Sequence, residues 1–232
     1  MADVTITAKD GGSFSGYLAT PASGKGPGIL LIQEIFGVNQ VMRDIADGHA
    51  ANGYTVLCPD LFWRQEPGIQ LTDQSEAEWG RAFELYQGFD EAKGVDDLEA
   101  SLKHLRGLDA CTGKVGSVGY CLGGKLAYLT GARTDADCNV GYYGVGIENA
   151  LEESGKVNKP LMLHIAEVDQ FCPKEAQSKI HAALDGHASI TIHDYASVDH
   201  AFARIGGEHF DQAAADQAND RTAQFFAQHL GG

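Results

Sequence analysis

The sequence predicts a single α/β domain over residues 1–232, with a mainly parallel central sheet flanked by helices on both faces. Three observations lead there. Short apolar runs alternate with helix-period segments from end to end. Several runs are apolar throughout, as strands buried on both faces must be. A chain of 232 residues, 44% of them hydrophobic, also suffices for one sizeable core.

Each element follows in order. Residues 4–6 and 14–18 read as a hairpin around Asp10-Gly11-Gly12. Residues 28–32 (Gly-Ile-Leu-Leu-Ile) read as a buried strand, and 41–52 as a helix ended by Gly53. Residues 54–58 form the next strand, stopped by Pro59-Asp60. The stretch 75–106 is expected to be helical, opened by the capping-box pattern of Ser75 and Glu78. A strand at 114–119 leads to a helix at 125–130. Strands at 139–143, 161–166 and 190–195 follow, with helices at 173–184 and 211–230. Strands separated by helices need crossover connections, hence a parallel sheet. In such sheets ligands sit outside the carboxyl ends of the strands, which is where chemistry is sought.

Composition narrows the partners. With 17 basic and 32 acidic residues the formal charge is 17 − 32 = −15, so nucleic acid and anionic membranes are disfavoured. At physiological salt, charges are screened over about 8 Å, so a local arginine in a cleft can still hold an anion. The N-terminus has neither a basic start nor an apolar segment, so no secretory signal is expected. No apolar run approaches the roughly 18 residues of a membrane span. The five cysteines, Cys58, Cys111, Cys121, Cys138 and Cys172, are odd in number and far apart. That favours reduced thiols in a cytoplasm over a disulfide framework. Neither they nor the histidines show metal-ligand spacing, and no metal site is expected. With no apolar stripe left over, a monomer is expected.

The chemistry centres on Gly119-Tyr120-Cys121-Leu122-Gly123-Gly124, between a strand and a helix. This is the nucleophile elbow G-x-S-x-G with cysteine in place of serine. A strand turning at once into a helix strains the central residue and crowds the positions two before and two after, hence Gly119 and Gly123. The turn is expected to expose the thiol at the strand end. The helix N-terminus favours the thiolate, and the Leu122 amide points toward a developing oxyanion. So short a motif also fits a glycine-rich turn with a buried, inert cysteine; its strand–turn–helix context points to the α/β-hydrolase fold, whose triad runs nucleophile, acid, histidine along the chain. Asp169 follows the strand at 161–166 and His200 the strand at 190–195, in that order. His164 and His193 lie inside strands and read as structural. Asp199, beside His200, is expected to point elsewhere. In this architecture the loop from Gln33 to Gly37 supplies a second oxyanion amide, that of Ile35. Glu34 beside it reads either as a carboxylate holding the cysteine's proton or as a solvated loop glutamate. Arg204 reads either as a bidentate clamp for a substrate carboxylate or as a surface arginine.

The chain resembles dienelactone hydrolases (carboxymethylenebutenolidases) along essentially its whole length. The resemblance is carried by Gln-Glu-Ile-Phe-Gly-Val-Asn at 33–39, Cys58-Pro59-Asp60-Leu61, Arg-Gln-Glu-Pro-Gly at 64–68, the elbow, Gly-Tyr-Tyr-Gly-Val-Gly at 141–146 and His-Ala-Phe-Ala-Arg at 200–204. It implies a Cys121–His200–Asp169 triad and no metal or organic cofactor. It also implies that Glu34 pairs with the resting thiol, and that Phe36 and Tyr142 are among the substrate contacts. The implied reaction opens a small carboxylate-bearing lactone to maleylacetate, in the catabolism of chloroaromatic compounds. The family holds the carboxylate with two arginines. One matches Arg204; the other position falls on Trp79 in an ungapped reading, with Arg81 two residues further on. Two residues turn a helix by about 200°, so Arg81 faces away unless the helix shifts. Phe83 stands where the family has tyrosine. Two alternatives follow: an esterase or thioesterase for other small substrates, and a non-enzymatic thiol sensor. A sensor usually carries a resolving cysteine, and none lies close in sequence.

Overall fold

A computed structural model describes residues 2–231. The chain divides at Gly116/Ser117 into two compact units.

The first unit carries β1 (Ala2–Thr7), β2 (Ser13–Ala19), β3 (Gly26–Ile32), α1 (Gln40–Ala51), β4 (Thr55–Pro59), α2 (Glu76–Gln87) and α3 (Glu91–Arg106). Its strands lie in the order β1-β2-β4-β3. The expected hairpin is present: β1 and β2 pair antiparallel, with Ile6 opposite Phe14 and both buried. β2 also runs antiparallel to β4, whereas β3 and β4 are parallel. Ile29 to Ile32 and Val56 to Cys58 are wholly buried, as their unbroken apolar runs required. Asn39 caps α1 through the Met42 amide, and Ser75 caps α2 through the Glu78 amide.

The stretch expected as one helical segment at 75–106 is two helices. Gly88 ends α2, and Asp90 starts α3 by accepting the Lys93 amide. A residue with an N-capping side chain relieves the orphan donors of a new helix start. The buried Asp97 of α3 then anchors the loop after β4. It accepts from Trp63 Nε1 at 2.8 Å and from Arg64 Nε and Nη2 at 3.1 and 2.8 Å. Asp97 is also the main influence holding the Arg64 guanidinium charged. Asp97→Ala leaves those donors without a buried acceptor, while Arg64 keeps Asp10. The expected loss is about 2 kcal/mol, or a melting temperature lower by about 4–8 °C, read by thermal unfolding.

β5 (Cys111–Tyr120) runs through the division. The second unit continues with α4 (Leu122–Arg133), β6 (Asn139–Tyr142), β7 (Leu161–Ala166), α5 (Lys174–Leu184), β8 (Ile190–Tyr195) and α6 (Gln212–Leu230). β5, β6, β7 and β8 are neighbours in that order and pair in parallel. Two 3-10 turns that the sequence did not announce, Ile147–Asn149 and Leu151–Lys156, lie between β6 and β7. His164 is structural, as read. It is buried, with Nδ1 against the Tyr195 hydroxyl at 2.7 Å and Nε2 against Thr222 Oγ1 at 3.0 Å. Arg221 donates to the Tyr195 hydroxyl at 3.0 Å, so that hydroxyl donates onward to Nδ1. The ring is then neutral, and burial keeps its pKa well below the ordinary value.

Candidate active site

The elbow is built as its spacing demands. β5 ends at Tyr120, α4 begins at Leu122, and Cys121 between them has φ 57 and ψ −116. A positive φ in a residue with a side chain is strained and points to an over-determined turn. A Cβ on Gly119 would lie 1.9 Å from the Gly123 carbonyl oxygen, which fixes glycine there. The Cys121 amide donates to the Tyr142 carbonyl at 3.1 Å, and the Cys121 carbonyl accepts the Gly124 amide at 2.9 Å. These bonds aim the cysteine at the carboxyl ends of β5 and β6. The expectation of an exposed thiol is corrected. Cys121 is 8% accessible, so the sulfur sits in a largely dry setting.

Asp169 and His200 come together from the loops after β7 and β8. His200 Nδ1 lies 2.8 Å from Asp169 Oδ2. The other Asp169 oxygen accepts the amides of Phe171 at 2.8 Å and Cys172 at 3.2 Å. Two backbone donors on Oδ1 orient the carboxylate so that Oδ2 faces the imidazole. His200 and Asp169 are 4% and 3% accessible. Burial disfavours the imidazolium and is the largest single influence on it. Its neighbour Cys121 and the Asp169 hydrogen bond both favour it and together outweigh burial, and the His200 pKa is pushed up to about 10.

Aromatic rings border the imidazole. Tyr143 and Phe171 lie edge-on to it, with centroids at 5.1 and 4.9 Å. Neither was singled out from the sequence, where Tyr142 was expected among the substrate contacts. The placement of Tyr142 is corrected. It is wholly buried, and its hydroxyl lies 2.7 Å from Thr222 Oγ1 and 3.1 Å from Asn219 Oδ1, both on α6. β6 ends at Tyr142, and strand side chains alternate. Tyr143, at φ 36, therefore turns the other way at the strand end. Arg204 is 7% accessible, in a turn whose amide donates to the Ala201 carbonyl at 2.9 Å. It is not a surface arginine.

The remaining sequence candidates belong to the first unit. Glu34, Ile35 and Phe36, just past β3, are 2%, 5% and 1% accessible, so Glu34 is not a solvated carboxylate. Gln33 ties this segment to the next loop by accepting the Leu61 amide at 3.0 Å. Trp79 packs edge-on against Phe36 at 4.9 Å and stacks on Phe83 at 5.6 Å. Arg81 is half-exposed and ion-paired with Glu66 at 2.5 Å and Glu84 at 2.7 Å.

A model of the dienelactone hydrolase family matches residues 14–230. The chain belongs to that family. A relative from Azospirillum brasilense, provisionally named a carboxymethylenebutenolidase, is 51% identical over 233 residues, covering all of both chains. The carboxymethylenebutenolidase of Pseudomonas putida is 39% identical, over 97% of this chain and 95% of that one. A crystal structure from Klebsiella pneumoniae, provisionally titled a dienelactone hydrolase, shares 23% identity over 98% of each chain at a TM-score of 0.85. This likeness confirms the α/β-hydrolase fold expected from the elbow. As a dienelactone hydrolase family member the chain is a hydrolase, and a purely sensory thiol protein is set aside. Among the described residues, no helix is long and apolar enough to cross a membrane.

Proposed function

We propose that this enzyme opens a small carboxylate-bearing lactone, dienelactone to maleylacetate, through a thioester on Cys121. The observation that carries the reading is the Asp169–His200 hydrogen bond at 2.8 Å, with the ring of His200 held charged by the Cys121 sulfur. The thiolate attacks the acyl carbon, and the ring C–O bond breaks to release an enolate. The Leu122 amide, at the start of α4, stabilises the oxyanion; such a donor is typically worth about 2.7–4 kcal/mol. Acylation leaves the sulfur without charge, which removes its pull on His200. Burial then favours the neutral ring. The imidazolium gives its proton to the leaving enolate, and the neutral ring takes one from water. Hydroxide attacks the thioester, the acid product leaves, and the thiolate returns.

Other roles rest on the family resemblance. In this reading Glu34 pairs with the resting thiol and takes its proton when substrate arrives, Ile35 gives a second oxyanion amide, and Phe36 lines the substrate site. The buried Arg204 takes the substrate carboxylate. The enzyme works as a cytoplasmic monomer, with its five cysteines as thiols outside any disulfide. A second reading, an esterase for uncharged substrates, is favoured by one observation. Arg81 is already held by Glu66 and Glu84, and Trp79 occupies the other arginine position.

Dienelactone absorbance, followed beside an uncharged p-nitrophenyl ester, separates the two. Arg204→Gln is expected to raise KM for dienelactone about 10- to 100-fold and leave the ester unchanged, as loss of a charge-assisted clamp should. Equal effects on both substrates would remove the carboxylate role. Cleavage of the ester alone by the wild type would favour the second reading.

A further inference from the structure

Asp169 and His200 both stand on loops, which are ordinarily the mobile parts of a fold. Yet a general base loses about 10²-fold in rate when displaced by about 1 Å. What holds these two loops together is visible in their backbone bonds. The Glu167 amide donates to the Tyr195 carbonyl at 2.9 Å, and the Val168 amide to the Val198 carbonyl at 3.0 Å. The Ser197 amide donates back to Glu167 Oε2 at 2.9 Å.

The last tie lies at the site itself. Asp199 Oδ1 accepts the Gln170 amide at 3.2 Å and the His200 amide at 2.6 Å. One carboxylate oxygen thus joins the peptide following Asp169 to the peptide of His200. The His200–Asp169 side-chain bond then closes a ring through Asp169, Gln170, Asp199 and His200. The backbone around this ring is not relaxed. Ser197 has φ 61 and Ala201 has φ 63, and neither is glycine. Such conformations cost on the order of 1–3 kcal/mol each and persist only where the surroundings impose them.

We propose that Asp199 is a positioning residue for the base: its Oδ1 clamps the loop of Asp169 to the loop of His200 and keeps the imidazole in register with Cys121. This rests on the Cys121–His200–Asp169 reading above. Asp199 caps none of the helices described, and its side chain is 26% accessible, so it contributes little apolar burial. Its Oδ2 is 4.0 Å from His209 Nε2, beyond hydrogen-bond range, which leaves Oδ1 as the anchoring atom. A substitution there should loosen the pair more than it unfolds the protein.

The test compares Asp199→Ala and Asp199→Asn, with rates divided by the number of Cys121 thiols titrated by iodoacetamide. Asn keeps an acceptor oxygen at the same reach. Asp199→Ala is expected to lower kcat about 10- to 100-fold while KM shifts less than about threefold, and Asn to restore kcat to within about threefold. The far-downfield proton resonance of the His200 Nδ1–H···Asp169 bond should broaden or vanish in Ala and return in Asn. Asp199→Ser, whose shorter hydroxyl cannot bridge both amides, serves the same comparison if the alanine chain does not fold. Wild-type kcat in Ala or Ser, a loss confined to KM, or an Asn variant no better than Ala would each overturn the proposal. Asp169→Asn is measured alongside. If it keeps full activity, the triad reading itself fails; if it is crippled while Asp199→Ala is not, only the clamp fails.

Discussion

Cys121→Ala abolishes turnover while leaving the fold in place. Removing the nucleophile of a triad costs on the order of 10⁶-fold in kcat in a well-studied case, and the oxyanion donors alone leave about 10³–10⁴-fold over water. A loss of at least 10³-fold is therefore the expected floor here. Alanine has the same Cβ at the strained φ of 57, so the backbone meets no new clash and the chain should still fold. The same variant tests the electrostatics. The sulfur's charge is the largest influence raising the His200 pKa, ahead of the Asp169 hydrogen bond, and burial opposes both. Without the sulfur, the imidazole should titrate well below the wild-type value of about 10, followed by its proton resonances against pH.

Linkage gives the sign for stability. A folded pKa above the ordinary 6.5 means His200 stabilises the fold fully below about pH 6.5, and that contribution fades as pH rises through about 10. Cys121→Ala should flatten that alkaline loss. Dienelactone or ester cleavage at wild-type rate in Cys121→Ala would place the nucleophile elsewhere. An unmoved His200 titration would instead show that the sulfur is not what charges the ring.

What the sequence disclosed follows from how local each signal is. The elbow was legible because its cause is local: Gly119, Cys121 and Gly123 answer to one turn, and strand and helix flank it in the chain. Asp169 and His200 were found from chain order and strand ends, and they meet at 2.8 Å. Other features depend on where an element stops. Tyr142 and Tyr143 are adjacent, and only the end of β6 at Tyr142 decides which one turns toward His200. The break at Gly88 depends on Asp90 acting as a cap, a choice that the helical periodicity on either side obscures. Asp199 was expected to point away because it adjoins His200. Its partner, the Gln170 amide, is 29 residues distant, and no local rule brings the two loops together. Arg81 was a candidate for the substrate carboxylate, with helical geometry arguing that it faces away unless the helix shifts. That Glu66 and Glu84 would hold it could be read only once α2 and the loop before it were folded.

The second large effect is expected at Gly119. An added Cβ would sit 1.9 Å from the Gly123 carbonyl oxygen, 2.4 Å from its carbonyl carbon and 3.0 Å from its Cα. All three are backbone atoms in the first turn of α4, so no side chain can swing aside. Relief requires moving the start of α4 away from β5, and Cys121 lies between them. Overpacking of this kind costs about 1–3 kcal/mol where side chains can shift, and more where they cannot. Gly119→Ala is therefore expected to lose on the order of 4 kcal/mol, a fall of about 8–16 °C in melting temperature, with hydrolysis lost in whatever folds. Gly80→Ala is the matched control. Gly80 lies inside α2 with open space around its Cβ position, and alanine there should stabilise by about 0.5–1 kcal/mol. If thermal unfolding ranked the two the other way, the close approach of β5 and α4 would be wrong. The positive φ of Cys121 would then have no cause, because it exists only where strand and helix meet without a spacer.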